Sequence, residues 1–104
     1  MDTRRLTNPV VKAAFEAWQG KDLAGWLSHF APGAKLYDDG NPCDLMRFSK
    51  EIGKERFTSI DAVENNGKSI FGQFHSDTWG DFRTYFKFEL DDRGKIVRLD
   101  IGQV

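Results

Sequence analysis

The stretch Phe82-Arg83-Thr84-Tyr85-Phe86-Lys87-Phe88-Glu89-Leu90 alternates in polarity along its length. Successive side chains on a strand point to opposite faces, so Phe82, Thr84, Phe86, Phe88 and Leu90 share one face. Arg83, Tyr85, Lys87 and Glu89 share the other. The pattern predicts a strand with one buried and one polar side. Toward the C-terminus, Asp91-Asp92-Arg93-Gly94 is turn chemistry. Lys95–Gln103 then reads as a closing strand with Val97, Leu99 and Ile101 on its core face and Gln103 at the same parity. Toward the N-terminus, a turn at Asp77–Gly80 leads back to a strand over Ser69–Ser76. Its parity is open: Ile70, Gly72 and Phe74 share one face, Phe71, Gln73 and His75 the other. Asn65-Asn66-Gly67-Lys68 is a hairpin turn signal, and Phe57–Glu64 is the strand before it.

Upstream the period changes to that of a helix. Asn8-Pro9 is a cap followed by proline at the first helical position. Val11, Ala14, Phe15 and Trp18 then make one apolar helical face, and Gly20 is placed to end the helix in a left-handed turn. Asp22 caps a second short helix carrying Leu23, Trp26, Leu27 and Phe30, stopped by Pro32-Gly33. A short strand follows over Ala34–Asp38, then turn chemistry at Asp39-Gly40-Asn41-Pro42. Asn41-Pro42 repeats the cap-then-proline signal and predicts a helix from about Pro42 to Ser49, with Asp44 near its positive end. The charged segment Lys50–Arg56 reads as a solvated connection. Helices first and a meander after them predict an α+β fold in one domain over residues 1–104.

The 104 residues carry 15 basic and 16 acidic side chains. That balance offers no field for a polyanion, so nucleic acid is not an expected partner. Aromatic residues make up 13% of the chain, which argues for a packed core. Cys43 is the sole cysteine and lacks an identifiable base partner, so it reads as inert. No Cys/His cluster suggests zinc, and Glu64, Asp77 and Asp100 lack a spacing that suggests any other metal. No apolar leader follows Met1-Asp2-Thr3-Arg4-Arg5, and no apolar run approaches the roughly 20 residues that span a bilayer. The cytoplasm is the expected location, with no membrane partner.

The order helix, helix, strand, helix and long meander resembles the nuclear transport factor 2-like (NTF2-like) superfamily, which includes SnoaL-like proteins and ketosteroid isomerases. The Val11–Trp18 helix, Gly20-Lys21-Asp22-Leu23, Phe30-Ala31-Pro32-Gly33-Ala34-Lys35-Leu36-Tyr37-Asp38 and Gly94-Lys95-Ile96-Val97-Arg98-Leu99 carry the resemblance across nearly the whole chain. It implies a cone: N-terminal helices packed on the concave face of a curved antiparallel sheet, a cystatin-like α+β roll with an apolar pocket between the layers. In the isomerases the general base ends the first strand, where Asp38 stands here. The isomerases' donors to the developing enolate, a Tyr and a protonated Asp, fall near Ala14 and at Phe86. Neither can donate a hydrogen bond, so the resemblance does not extend to those donors.

Asp38 also stands out from the residues alone. It continues the parity of Ala34 and Leu36, which points a carboxylate toward an apolar interior where lost hydration raises its pKa toward that of a useful base. The competing reading is a cap on the turn at Gly40. Gln103 fits a pocket mouth or a frayed terminus. His75, ending its strand, and His29, late in the second helix, are acid–base candidates, although His29 equally suits a negative helix end. Trp18, Trp26, Phe86 and Phe88 are core residues or ligand walls. The Arg83-Tyr85-Lys87-Glu89 face suits a homodimer, a solvated surface or, less well, nucleic acid. These readings converge on a pocket protein for a small apolar or amphipathic molecule. One form is a cofactor-free isomerase, cyclase or dehydratase with Asp38 as base. The alternative is a non-catalytic ligand-binding or dimerisation module.

Overall fold

In the computed structural model, which describes residues 1–104, helix α1 (Pro9–Gln19) begins where the Asn8 side chain accepts the N–H groups of Val10 and Val11. It buries Val11, Ala14, Phe15 and Trp18. The left-handed residue at its end is Lys21 (φ 61°), not Gly20 (φ −85°). Gly20 continues the helix by donating to Glu16, and the turn at Lys21 lets the Asp22 N–H reach the Ala17 carbonyl at 2.9 Å. Asp22 then caps α2 (Leu23–Ser28) by accepting the Gly25 N–H.

Strand β1 (Phe30–Asp38) starts well before the Pro32-Gly33 pair expected to precede it. The Ile96 N–H donates to the His29 carbonyl at 2.8 Å and draws Phe30 alongside Ile96. The register then shifts before Lys35, an irregularity that accommodates Pro32 and left-handed Gly33 (φ 76°). Asp39 (φ 50°) and Gly40 (φ 84°) form a tight two-residue turn into β2 (Asn41–Cys43). Asn41 and Pro42 therefore pair with Asp38 and Tyr37 instead of opening a helix. The cap of α3 (Leu45–Ser49) is Asp44, which accepts the N–H groups of Met46 and Arg47.

The expected strand over Phe57–Glu64 is two strands, β3 (Glu55–Phe57) and β4 (Ala62–Glu64). Both pair with β5 (Ser69–Ser76), and the chain between them crosses Gly72 so closely that a Cβ there would lie 2.0 Å from the Ser59 carbonyl oxygen. Glu55 and Arg56 thus belong to the sheet, not to a solvated connection. β6 (Gly80–Leu90) and β7 (Ile96–Gln103) complete the order β2-β1-β7-β6-β5-β3.

The fold is α+β with a curved open sheet of seven strands. It is antiparallel except at one place: β1 pairs parallel with β7. No local sequence pattern reports a pairing between segments so distant in the chain. The expected inward face of β6 holds, with Thr84, Phe86 and Phe88 buried. On β7 a register shift opposite Glu89 and Leu90 puts Ile96 in the core, fully buried, and leaves the expected Val97 half-buried. The parity of β5 resolves with Ile70, Phe74 and Ser76 buried and Gln73 exposed. No helix is long and apolar enough to cross a membrane.

Candidate functional site

The helices fill one end of the sheet's inner face. Trp18 lies 5.0 Å from Trp26, centroid to centroid, and Trp26 lies 6.1 Å from Phe88. Phe48 of α3 stacks on Trp18 at 4.9 Å and 10°. Beyond Phe48 the filling stops, and a cavity of about 1020 Å³ opens. Its apolar wall includes Leu36, Phe74, Phe86 and Ile101, all buried, with half-buried Phe48 and Phe82. Exposed Trp79 stands at the rim with Pro42 and Cys43, and most of the remaining lining is polar. Six carboxylates line it, from Asp38, Asp39, Asp44, Glu51, Glu55 and Asp81, against one guanidinium, that of Arg47. The expected apolar pocket is therefore an aromatic floor under an acidic mouth, because α3 and the turns supply the rim and, Trp79 apart, most of their lining residues are charged or polar.

Of the residues singled out in the sequence, Asp38, Phe86 and Gln103 meet at this cavity. Asp38 stands immediately before the two-residue turn, paired with Asn41 on one side and Ile101 on the other. The turn is made by backbone conformation at Asp39 and Gly40, and no hydrogen bond to the Asp38 carboxylate contributes to its pKa. Partial burial pushes that carboxyl up from its ordinary value, and the charge of Asp39 adds to the effect. Gln103 is exposed but anchored: it pairs with Thr84, and the next N–H, of Val104, donates to the Arg83 carbonyl at 2.9 Å. Thr84, also in the wall, holds the same strand by donating its hydroxyl to the Gly102 carbonyl.

Trp18, Trp26 and Phe88 lie behind the cavity as core, not in its lining. The Trp26 indole N–H donates to buried Ser49 Oγ at 2.9 Å, whereas the buried Trp18 Nε1 has no partner. His75 is on the outward face of β5, because its neighbours Phe74 and Ser76 take the inward parity. Its ring is held by Asp81 at 2.7 Å and Asp77 at 2.9 Å, and these bonds push its pKa up. It does not line the cavity, and neither does His29, the C-cap residue of α2.

Glu55 was not legible as a site residue. It is half-buried on β3 and lines the cavity. The Ser76 hydroxyl donates to its Oε2 at 2.9 Å, while the same Ser76 oxygen accepts the N–H groups of Thr78 and Trp79. Burial pushes the Glu55 carboxyl up; the Ser76 hydrogen bond opposes this, and the charges of Glu51, Asp38 and Asp77 reinforce it. The available signal was parity, since Glu55 is two residues before fully buried Phe57 and therefore shares its face. No group of three or more His, Cys, Asp or Glu side chains is arranged to hold a metal ion.

No known protein-family profile and no curated protein sequence matches the chain. Solved structures do. An NTF2-like protein of unknown function from Cytophaga hutchinsonii superposes with a TM-score of 0.73 at 11% identity, over 97% of this chain and 92% of that one. A candidate polyketide cyclase from Xanthomonas campestris gives 0.69 at 15% identity, over 99% and 93%. The canthaxanthin-binding Orange Carotenoid Protein of Anabaena gives 0.73 at 16% identity, over 93% of this chain but 36% of that one.

Proposed function

From the premise that this fold is NTF2-like, we propose that the protein holds a small amphipathic molecule in its cavity and moves a proton on it with Asp38. The apolar body of the ligand packs on Phe74, Phe82 and Phe86, and its polar end lies among the rim groups. The observation that carries this reading is a carboxylate, free of any cation within ion-pair distance, on the wall of an aromatic-floored cavity. An ionised Asp38 near an acidic carbon beside a carbonyl can take the proton and return it elsewhere. That one capability serves an isomerisation, a cyclisation or a dehydration without a cofactor. The likeness to candidate polyketide cyclases supports this chemistry. The excess of carboxylates disfavours anionic ligands and leaves neutral or cationic ones.

The test is hydrogen exchange at the carbon next to the carbonyl of 2-tetralone, a neutral aromatic ketone, followed by NMR in deuterated buffer. Wild-type protein should accelerate exchange, and Asp38→Asn should lower the acceleration by about 10²–10⁴-fold, the usual contribution of a general base. Equal exchange by the two proteins removes Asp38 from the role. Binding without exchange leaves the second reading, a ligand-holding module, which the likeness to a carotenoid-binding protein favours.

The same proposal includes a homodimer through the outer sheet face. Half-buried Tyr37, Phe71 and Tyr85 lie there, with the Arg98 guanidinium 4.0 Å from the Tyr37 ring and the Lys87 ammonium 4.7 Å from that of Tyr85. Exposed Lys87 and Glu89 can meet their counterparts across a two-fold axis. A strict monomer by sedimentation at high micromolar concentration removes this part.

A further inference from the structure

Charge is unevenly placed on this chain. Basic and acidic side chains number 15 and 16 overall, yet the cavity takes 6 of the acids and 1 of the bases. Three of the six carboxylates are engaged: Asp44 caps α3, Asp81 holds His75 and Glu55 accepts the Ser76 hydroxyl. Asp38, Asp39 and Glu51 have no ion-pair partner, and the Arg47 guanidinium forms no ion pair with any of the six. The unneutralised charge surrounds the mouth of a cavity whose floor is aromatic.

A different residue points the same way. Trp79 is the one exposed aromatic ring of the molecule, 77% exposed, and it stands on the rim of this cavity. Its backbone is fixed: the Trp79 N–H donates to Ser76 Oγ at 3.1 Å, and buried Ser76 in turn donates to Glu55. The turn thus holds in water a ring that the core does not use. Among side chains, indole offers the best face to a cation.

We propose that the ligand of this cavity is a monocationic amphiphile, an apolar ring system bearing a protonated amine, with its rings on Phe74, Phe82 and Phe86 and its ammonium between the rim carboxylates and the Trp79 indole. The proposal deepens the reading of the cavity as a small-molecule site and rests on it. An apolar body suits the floor and a positive end suits the rim, so one molecule carrying both uses the whole cavity. A neutral ligand leaves the carboxylates repelling one another, and an anion adds to the repulsion. That repulsion is already present. Burial and then the charge of Asp39 push the Asp38 carboxyl up; burial, opposed by the Ser76 hydrogen bond and reinforced by the charges of Glu51 and Asp38, does the same to Glu55. A bound ammonium relieves it. A bare metal ion needs three or more converging ligands, which the rim does not provide.

The experiment compares three ligands on one bicyclic skeleton: 2-aminotetralin, a cation near neutral pH; 2-tetralone, which is neutral; and tetralin-2-carboxylate, an anion. In titration calorimetry the amine should bind wild-type protein about 10-fold tighter than the ketone, the scale of one cation–π contact with added ion pairing. The carboxylate should not bind detectably. Added salt should narrow the gap between amine and ketone, because charges at an open rim are screened. Trp79→Leu keeps an apolar side chain but removes the indole face, and the double variant Asp39→Asn with Glu51→Gln removes two unpaired charges. Each should reduce the amine-to-ketone preference, with a melt checking that the variant remains folded. Ketone binding as tight as amine binding overturns the cation assignment and leaves the cavity as a site for neutral ligands. A preference for the amine that neither salt nor these variants reduce overturns the rim as its seat. If none of the three ligands binds, the cavity reading and the cation assignment fall together.

Discussion

At one end of the sheet's inner face Trp26 is fully buried among Trp18, Phe30, Phe86 and Phe88; at the other, Phe82 is half-buried beside an open cavity. The same strand, β6, runs through both ends with the same alternation. What differs is the volume brought down from the helices. α1 and α2 deliver two indoles over Phe86 and Phe88, and α3 delivers one phenyl ring, Phe48, which closes the stack. Past that ring the covering residues are Asp44, Arg47 and Glu51, whose charged ends stay in water and cannot fill an apolar space. Strand pattern thus fixes which face is covered, and helix side-chain volume fixes how far along the covering is solid.

Truncating the closed end should have the largest effect. Trp26→Ala removes the ring at the centre of four aromatic contacts and should destabilise by about 3–5 kcal/mol, read from a denaturant melt. A loss under about 1 kcal/mol would mean that this end is not solid. Ser49→Ala probes the same end more gently: it strands the buried Trp26 N–H and should take away about 1–3 kcal/mol, with a shifted indole resonance. Phe82→Ala tests the open end, where half-burial predicts a loss of only about 1 kcal/mol but a clear weakening of 2-tetralone binding. Equal stability losses for Phe82→Ala and Trp26→Ala would erase the distinction between the ends. The smallest effect belongs to Asp38→Asn, within about 0.5 kcal/mol in either direction. Its sign depends on pH. The folded pKa of Asp38 is raised, so wild type carries this group at no disadvantage below the ordinary value of 3.8 and loses stability as pH rises from there through the folded value. The Asn variant should accordingly equal or exceed wild type near neutrality, measured by melts across that range.

The sequence made the covered face of β6 plain because an uninterrupted alternation allows one answer. β7 shows the limit: Val97 and Ile96 exchange roles because a register shift against β6 moves the parity, and the shift belongs to the pair of strands. Pro42 misled for a related reason. Asn-Pro is chemistry shared by helix starts and edge strands, and pairing with Tyr37 decided between them. Within the site, Asp38 and Phe86 were readable from parity, whereas Trp18, Trp26 and Phe88 were readable as inward but not as core or lining, which is a matter of depth. His75 needed a parity that Gly72 left ambiguous. Glu55 stayed hidden in a charged run because two-residue alternation with Phe57 is too short to be noticed.

The parallel contact between β1 and β7 bears on how the chain comes together during synthesis. β5 and β6 are joined by a short turn and can pair as soon as both have left the ribosome, whereas β1, made early and paired at once with β2, waits for its parallel partner β7, which is made after every other strand. Until β7 arrives, buried Leu36 has no neighbour at Leu99, and Asp38 none at Ile101. A chain of this topology meets the entropy of a long closure late, which slows folding and prolongs exposure of the first strand. The wall bearing Asp38 is therefore the last part of the cavity to be assembled, and a nascent chain lacking β7 has β3 and β5 in reach of each other but no cavity between Asp38 and Glu55.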